Sequence, residues 1–199
     1  MDISRKAIVN LLIGQEIFLI IISLLWVFFN NTNSFKISGL YAFFELNPFN
    51  KFHIDLQSFF IGLAVSIILI FLSILIASTY EPFKKSMLIL DEMIINKIQI
   101  RDIFPLALFS GVGEEIFFRG LLQEGIGIYF SNIIFALLHF PAKEFWVYAL
   151  WTLFAGLFLG NVYSYTNNLF IVIIAHVFNN FLALFIWKKF KHKIISNEK

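Results

Sequence analysis

The chain has 199 residues, 59% of them hydrophobic and 14% charged, with a formal charge of +2 and a mean hydropathy of +0.83. Globular proteins use about 45–50% apolar and about 25% charged residues, so lipid is the solvent for most of this chain, and one membrane domain without a sizeable soluble domain fits its length. The small charge argues against a nucleic-acid partner, and the lack of cysteine excludes disulfides, thiolate ligands and a cysteine nucleophile.

A bilayer core about 30 Å thick takes about 20 apolar residues per helix. The apolar runs predict spans over residues 7–29, 59–79, 103–126, 129–140, 145–164 and 169–187. The expected fold is therefore all-α, a polytopic transmembrane helix bundle of about six spans with a polar intramembrane cavity. Arg5 and Lys6 precede the first run, which lacks a small-residue cleavage site and reads as a retained span rather than a signal peptide. Between the second and third spans, Met87, Leu88, Leu90, Met93, Ile94, Ile95 and Ile98 are interspersed with Asp91, Glu92 and Lys97, a pattern that fits a short helix lying in the interface and equally a soluble linker helix. The fourth run is the shortest and reaches only about 18 Å, so it tilts, re-enters or continues past Pro141. Gly156 and Gly160 give the fifth span a G-x-x-x-G, read as internal packing. Trp26, Trp146 and Trp187 fall near span ends, where anchoring explains them. In a six-span arrangement the loop charges Arg5, Lys6, Lys84, Lys85, Lys97, Arg101, Lys143, Lys188, Lys189, Lys191 and Lys193 share one side, with Lys36 and Lys51 on the other. The positive-inside rule then places both termini in the cytoplasm.

Charged side chains at mid-bilayer cost at least about 2.5–3.5 kcal/mol each on insertion scales, so every one inside a span needs a reason. The third span carries three, in Ser110-Gly111-Val112-Gly113-Glu114-Glu115-Ile116-Phe117-Phe118-Arg119-Gly120. Glu115 and Arg119 are four apart on one face, acid before base, and can neutralise each other. Glu114 lies about 100° round the helix and is left as a lone buried carboxylate, suited to taking a proton from water and passing it to a leaving amine. Ser110, Gly111 and Gly113 leave room for a cavity or another helix. The fourth run supplies His139 in Phe135-x-x-x-His139, and the sixth supplies His176 and Asn180 on one face, with Asn179 as a rival partner. Counted at ~1.5 Å per residue, Glu114 and His139 both reach roughly mid-membrane. Glu16, beside Gln15 in the first span, is one more buried acid that either lines the same cavity or bonds a neighbouring helix, the structural bond being the reading preferred here; Glu124 reads as interfacial.

Glu114-Glu115-x-x-x-Arg119, Phe135-x-x-x-His139 and His176-x-x-x-Asn180, in this order on separate hydrophobic segments, resemble the three motifs of the CPBP family of CAAX-protease-like or Abi-like intramembrane proteases. The resemblance covers roughly residues 105–187, and the first hundred residues match only as membrane spans. It divides the chain into N-terminal helices and loops (1–102), a catalytic core (103–187) and a basic cytoplasmic tail (188–199). What it implies is peptide-bond hydrolysis within the membrane: Glu114 and His139 activate water, His176 and Asn180 stabilise the oxyanion, and Glu115 with Arg119 hold the geometry. Ser110 has no identified base, which disfavours a covalent route. Glu114, His139 and His176 could also form a His2Glu zinc site, although the chain has no H-E-x-x-H and the motifs equally fit a water activated without metal, the form preferred here.

Two rival classes are a non-enzymatic membrane immunity or accessory protein, because some members of that family are associated with bacteriocin self-immunity, and an ion or proton carrier, for which no inverted repeat is visible. The Phe, Ile, Lys and Asn bias suggests an AT-rich bacterial coding sequence and the plasma membrane. The expected substrate is then a hydrophobic peptide or membrane-associated protein rather than a prenylated one, with no expectation about oligomeric state.

Overall fold

A computed structural model describes residues 4–31, 47–140 and 142–195. Lys36, Pro141 and the end of the tail, on which some expectations rest, lie outside these residues. Among the described residues every regular element is a helix. They run as α1 (Arg5–Asn31), α2 (Leu56–Thr79), α3 (Glu81–Leu90), α4 (Ile100–Glu115), α5 (Glu124–Leu138), α6 (Trp146–Thr166) and α7 (Leu169–Ile195), with short 3-10 turns at Pro48–Lys51 and Lys143–Phe145. A π-helical turn, Asp91–Ile95, extends α3, and a longer one, Ile116–Gln123, joins α4 to α5.

Five helical runs among the described residues are long and apolar enough to cross a membrane, and the chain is an integral membrane protein. One of them, Ile100–Leu138, has 39 residues, about 58 Å if straight and far more than a bilayer needs. It does not stay straight. Gly127 at φ 83, ψ 163 breaks the run with a backbone that only glycine adopts without strain. The chain then doubles back: Ser131 Oγ donates to the Phe118 carbonyl at 3.0 Å, and the rings of Phe118 and Phe135 meet at 5.0 Å. The third and fourth expected segments are thus two arms of one helical hairpin. The short arm ends at His139, and in the 3-10 turn Lys143–Phe145 the Glu144 carbonyl accepts from Ser86 Oγ at 3.0 Å.

α7 lies between α2 and α4, α1 packs on α4, and α6 packs on α5. Lipid-like surroundings give helices no hydrophobic reason to associate, so close backbone approach must do it. A Cβ on Gly62 would come within 2.6 Å of the Ile171 carbonyl, and one on Gly111 within 2.7 Å of the Val177 amide. Those two glycines let α7 settle against α2 and α4. Large apolar side chains such as Leu11, Phe18, Phe60 and Phe71 face outward, as a bundle solvated by acyl chains requires.

Polar contacts tie the two ends. Arg5 forks onto Asp102 through Nε at 2.8 Å and Nη2 at 2.7 Å, and Asp102 also accepts from the Gln99 amide at 2.7 Å in a capping box. Lys188 Nζ donates to the Ile95 carbonyl at 2.6 Å, so Arg5 and Lys188 sit at the same end. At the opposite end Asn168 bonds both His53 and Ser58, and Lys51 meets Glu124 at 2.8 Å. Asp55 caps α2 by accepting from Ser58 N and Oγ, which holds its carboxyl below the usual carboxylate range.

Three boundary expectations change. α7 continues to Ile195, so residues from 188 onward extend the helix that ends the core. Trp187 is buried, donating to Asp91 Oδ1 at 3.2 Å, and is a packing residue rather than an interfacial anchor. α3 docks on the bundle instead of only lying in the interface, burying Phe83 against Trp151 at 6.0 Å.

Candidate active site

The glycines of Ser110-Gly-Val-Gly-Glu-Glu build the site by what they admit. Two residues apart on a helix, Gly111 and Gly113 face nearly opposite ways. Gly111 receives α7 at Val177, next to His176, and Gly113 receives α1 at Glu16. The room expected there is therefore filled by two helices, each bringing a titratable side chain to the following turn.

Glu114 and His176 come together, with His176 Nε2 3.7 Å from Glu114 Oε2. That is beyond hydrogen-bond length and within reach of a bridging water. The other imidazole nitrogen is committed, because His176 Nδ1 donates to Glu115 Oε1 at 2.6 Å. This contact corrects the view of Glu115 and Arg119 as a self-contained pair. Glu115 Oε1 accepts from His176 as well as from Arg119 Nη1 at 3.0 Å, and Arg119 Nη2 goes on to the Gly156 carbonyl at 2.9 Å and Asn132 Oδ1 at 3.3 Å. Both Glu115 and Arg119 are wholly excluded from solvent. One buried charge pair thus fixes the imidazole orientation and ties α4, α5, α6 and α7 together. Glu114 Oε2 is buried with no hydrogen-bond partner among the described residues, as are Glu16 Oε2 and Glu115 Oε2 nearby, so the site holds several carboxylate oxygens with acceptor capacity to spare.

His139 caps the short arm of the hairpin. Its Nδ1–H donates to the Phe135 carbonyl at 2.8 Å, which leaves Nε2 as a lone-pair acceptor suited to a base. The Phe of Phe135-x-x-x-His139 has a clear physical part. Its ring touches His139 at 4.5 Å and His176 at 6.4 Å between centroids, and the Arg119 guanidinium stacks over it at 5.0 Å. Asn180 donates to Ser110 Oγ at 2.8 Å and accepts from Asn179 Nδ2 at 3.2 Å, one turn along α7 from His176.

Glu114, His139 and His176 do not close up as a metal site. Among the described residues no three His, Cys, Asp or Glu side chains are grouped to hold an ion. His176 and His139 both keep Nε2 available, with Nδ1 bonded to Glu115 and to the Phe135 carbonyl, but the Phe135 ring packs against both imidazoles, and the two are not grouped with a carboxylate around one point. By type these donors suit zinc, but in this arrangement they do not converge as a three-ligand site.

Several partners escaped the sequence reading. Asn132 and Gln123 are buried, and Gln123 Nε2 donates to the Gly160 carbonyl at 2.8 Å and Ser164 Oγ at 2.9 Å. Gly156 and Gly160 do serve internal packing, but what they admit is the side chains of Arg119, Asn132 and Gln123. Tyr148 at the start of α6 places its ring 6.3 Å from His139 and interacts electrostatically with Glu114. Its signal in the sequence was only a Tyr among apolar residues just inside a span.

Residues 97–182 match the family described as Rce1-like, type II CAAX prenyl endopeptidase Rce1-like, so the expected kinship holds for this part of the chain. The uncharacterized protein YpbD of Bacillus subtilis (strain 168) is 29% identical over 122 residues, covering 61% of this chain and 65% of that relative. The chain thus spans less than two thirds of the relative's length. No solved structure matches the chain.

Proposed function

We infer, for a chain whose residues 97–182 carry the Rce1-like signature, that it is an intramembrane endopeptidase hydrolysing a peptide bond in a hydrophobic peptide or membrane-associated protein. The observation that carries this reading is the approach of His176 Nε2 to the unpartnered Glu114 Oε2. A folding core would pair such groups; a hydrolytic site keeps them for water and substrate.

In the proposed reaction, Glu114 with the His139 Nε2 lone pair takes a proton from water, and the oxygen adds to the scissile carbonyl carbon. The carbonyl π electrons move onto oxygen, which accepts from protonated His176 Nε2–H and from Asn180 Nδ2–H. Collapse of this intermediate breaks the C–N bond, and the proton first taken from water goes to the leaving amine. Glu115 supports the cationic form of His176 through its bond at Nδ1, and Arg119 keeps Glu115 in place. No step runs through a metal. Both termini and the basic side of the bundle face the cytoplasm of a bacterial cell in this reading.

The test is comparative peptidomics of membranes bearing the wild-type protein, Glu114→Gln or His139→Ala, with insertion checked in parallel. Cleavage products present only with the wild type are expected. Identical product profiles for all three properly inserted proteins remove the enzyme reading and favour an immunity or accessory role. Activity that disappears on chelation and returns with stoichiometric zinc would overturn the metal-free chemistry.

A further inference from the structure

Glu16 was expected to bond a neighbouring helix, yet its Oε2 is buried with no hydrogen-bond partner among the described residues. It is 7% exposed in the middle of α1, a helix otherwise made of apolar residues over that stretch apart from Gln15. Gly113 is what brings it there. A Cβ on that glycine would stand 2.9 Å from the Glu16 carbonyl oxygen and 3.1 Å from Oε2, so the absence of a side chain seats the carboxyl beside the residue that precedes Glu114. The two acids interact electrostatically.

We propose that Glu16 is the positioning residue for Glu114, its carboxyl pairing with the Glu114 carboxyl over Gly113 and holding that side chain toward His176. The proposal rests on the water-activating role given to Glu114 above. The charged and titratable groups around the pair are Glu115 and Arg119 from α4 and its π-helical extension, Tyr148 from α6 and His176 from α7. Arg119 is already committed to Glu115, Asn132 and Gly156, and His176 Nδ1 to Glu115. With His176 Nε2, 3.7 Å from Glu114 Oε2, as the one cationic group facing them among the described residues, two carboxyls in one buried pocket are best satisfied by sharing a proton in an O–H···O⁻ bond. That bond gives the unpartnered oxygens of both residues a use. It also fixes the Glu114 rotamer, which a catalytic base needs.

The experiment compares Glu16→Gln, Glu16→Leu and Glu114→Gln with the wild type, using peptide cleavage across pH and the infrared band of protonated carboxyl groups in the resting protein. Glu16→Leu is expected to lower kcat about 10–100-fold with KM unchanged and to shift the acid limb of the profile, the size expected when a catalytic group is misplaced by about 1 Å. Glu16→Gln keeps an N–H donor and should restore most of kcat, while both variants lose the protonated-carboxyl band. An unchanged band together with wild-type pH profiles overturns the proposal, and equal loss in Gln and Leu variants reduces Glu16 to a folding residue. The band does not depend on turnover. If Glu114→Gln cleaves like wild type, the water-activating role given to Glu114 fails while the carboxyl pair is still tested on its own.

Discussion

Replacing Arg119 by Met removes in one step its bonds to Glu115, Asn132 and the Gly156 carbonyl, and leaves the Glu115 carboxylate in a place that solvent does not reach. Breaking a buried ion pair by deleting one partner costs about 3–5 kcal/mol, because the survivor keeps its desolvation penalty without its counterion. For a chain of this size about 1 kcal/mol moves Tm by about 2–4 °C, so the variant should unfold roughly 6–20 °C below the wild type. Thermal unfolding in a mild detergent, followed by intrinsic tryptophan fluorescence, measures this. The double variant Glu115→Gln, Arg119→Met isolates the pair, since it removes the stranded charge while keeping an acceptor for His176 Nδ1. It should be more stable than Arg119→Met alone, by about 0.5–3 kcal/mol of coupling. A single variant within about 2 °C of wild type would refute the reasoning, because less than about 1 kcal/mol cannot come from stranding a buried carboxylate. A double variant no better than the single would show that the lost bonds to α5 and α6, not the charge, carry the cost.

Two further outcomes are expected. Tyr148→Phe, which removes the hydroxyl of a ring 6.3 Å from that of His139, should lower kcat about 5–10-fold, the kinetic equivalent of one hydrogen bond, with Tm unchanged; an unaltered kcat in a steady-state assay takes Tyr148 out of the site. Asp55→Ala should lower thermal stability at neutral pH by removing the cap of α2, and because the folded carboxyl is held below its ordinary value, that stabilisation is present above about pH 4 and fades as acid protonates the folded state. Unfolding curves across pH check the sign, and a gap between wild type and variant that widens on acidification would contradict it.

The helical bundle was legible in the sequence because lipid imposes a length and a composition on each crossing, and no alternative hides within long runs of Leu, Ile and Phe. The convergence of Glu114 with His176 was also within reach, since each was an unexplained charge or imidazole at depth. What could not be read was which neighbours those residues would choose. Helical spacing paired Glu115 with Arg119 correctly, but it says nothing about a histidine 61 positions away that takes the same oxygen. Gly127 gave no sign that it would carry a positive φ and fold the short arm back, because Gly125 stands two residues before it and either could have turned the chain. Gly156 and Gly160 were legible as small, not as the carbonyl acceptors of Arg119 and Gln123.

The charges of the third span are affordable because their partners come from almost every other helix. Arg119 reaches α5 through Asn132 and α6 through Gly156, Glu115 reaches α7 through His176, and Gly113 brings Glu16 of α1 to the same turn. The π-helical extension begins one residue after Glu115, where the i to i+4 ladder opens, and Arg119, Gly120 and Gln123 within it are buried. A wider turn at that point lets two long polar side chains, Arg119 and Gln123, point into the bundle toward carbonyls four residues apart on α6. In a straight α-helix the same two residues are also four apart and would share a face, so the π turn is not needed to align them with each other. Its consequence lies in phase: with fewer degrees of rotation per residue it retards everything after Glu115 relative to Gly111 and Gly113, and so one helix receives α7 and α1 on its first half and α5 and α6 on its second. Glu114 and Glu115 stand at the junction between these halves, where His176 of α7 and Glu16 of α1 approach on one side and Arg119 carries the network to α5 and α6 on the other.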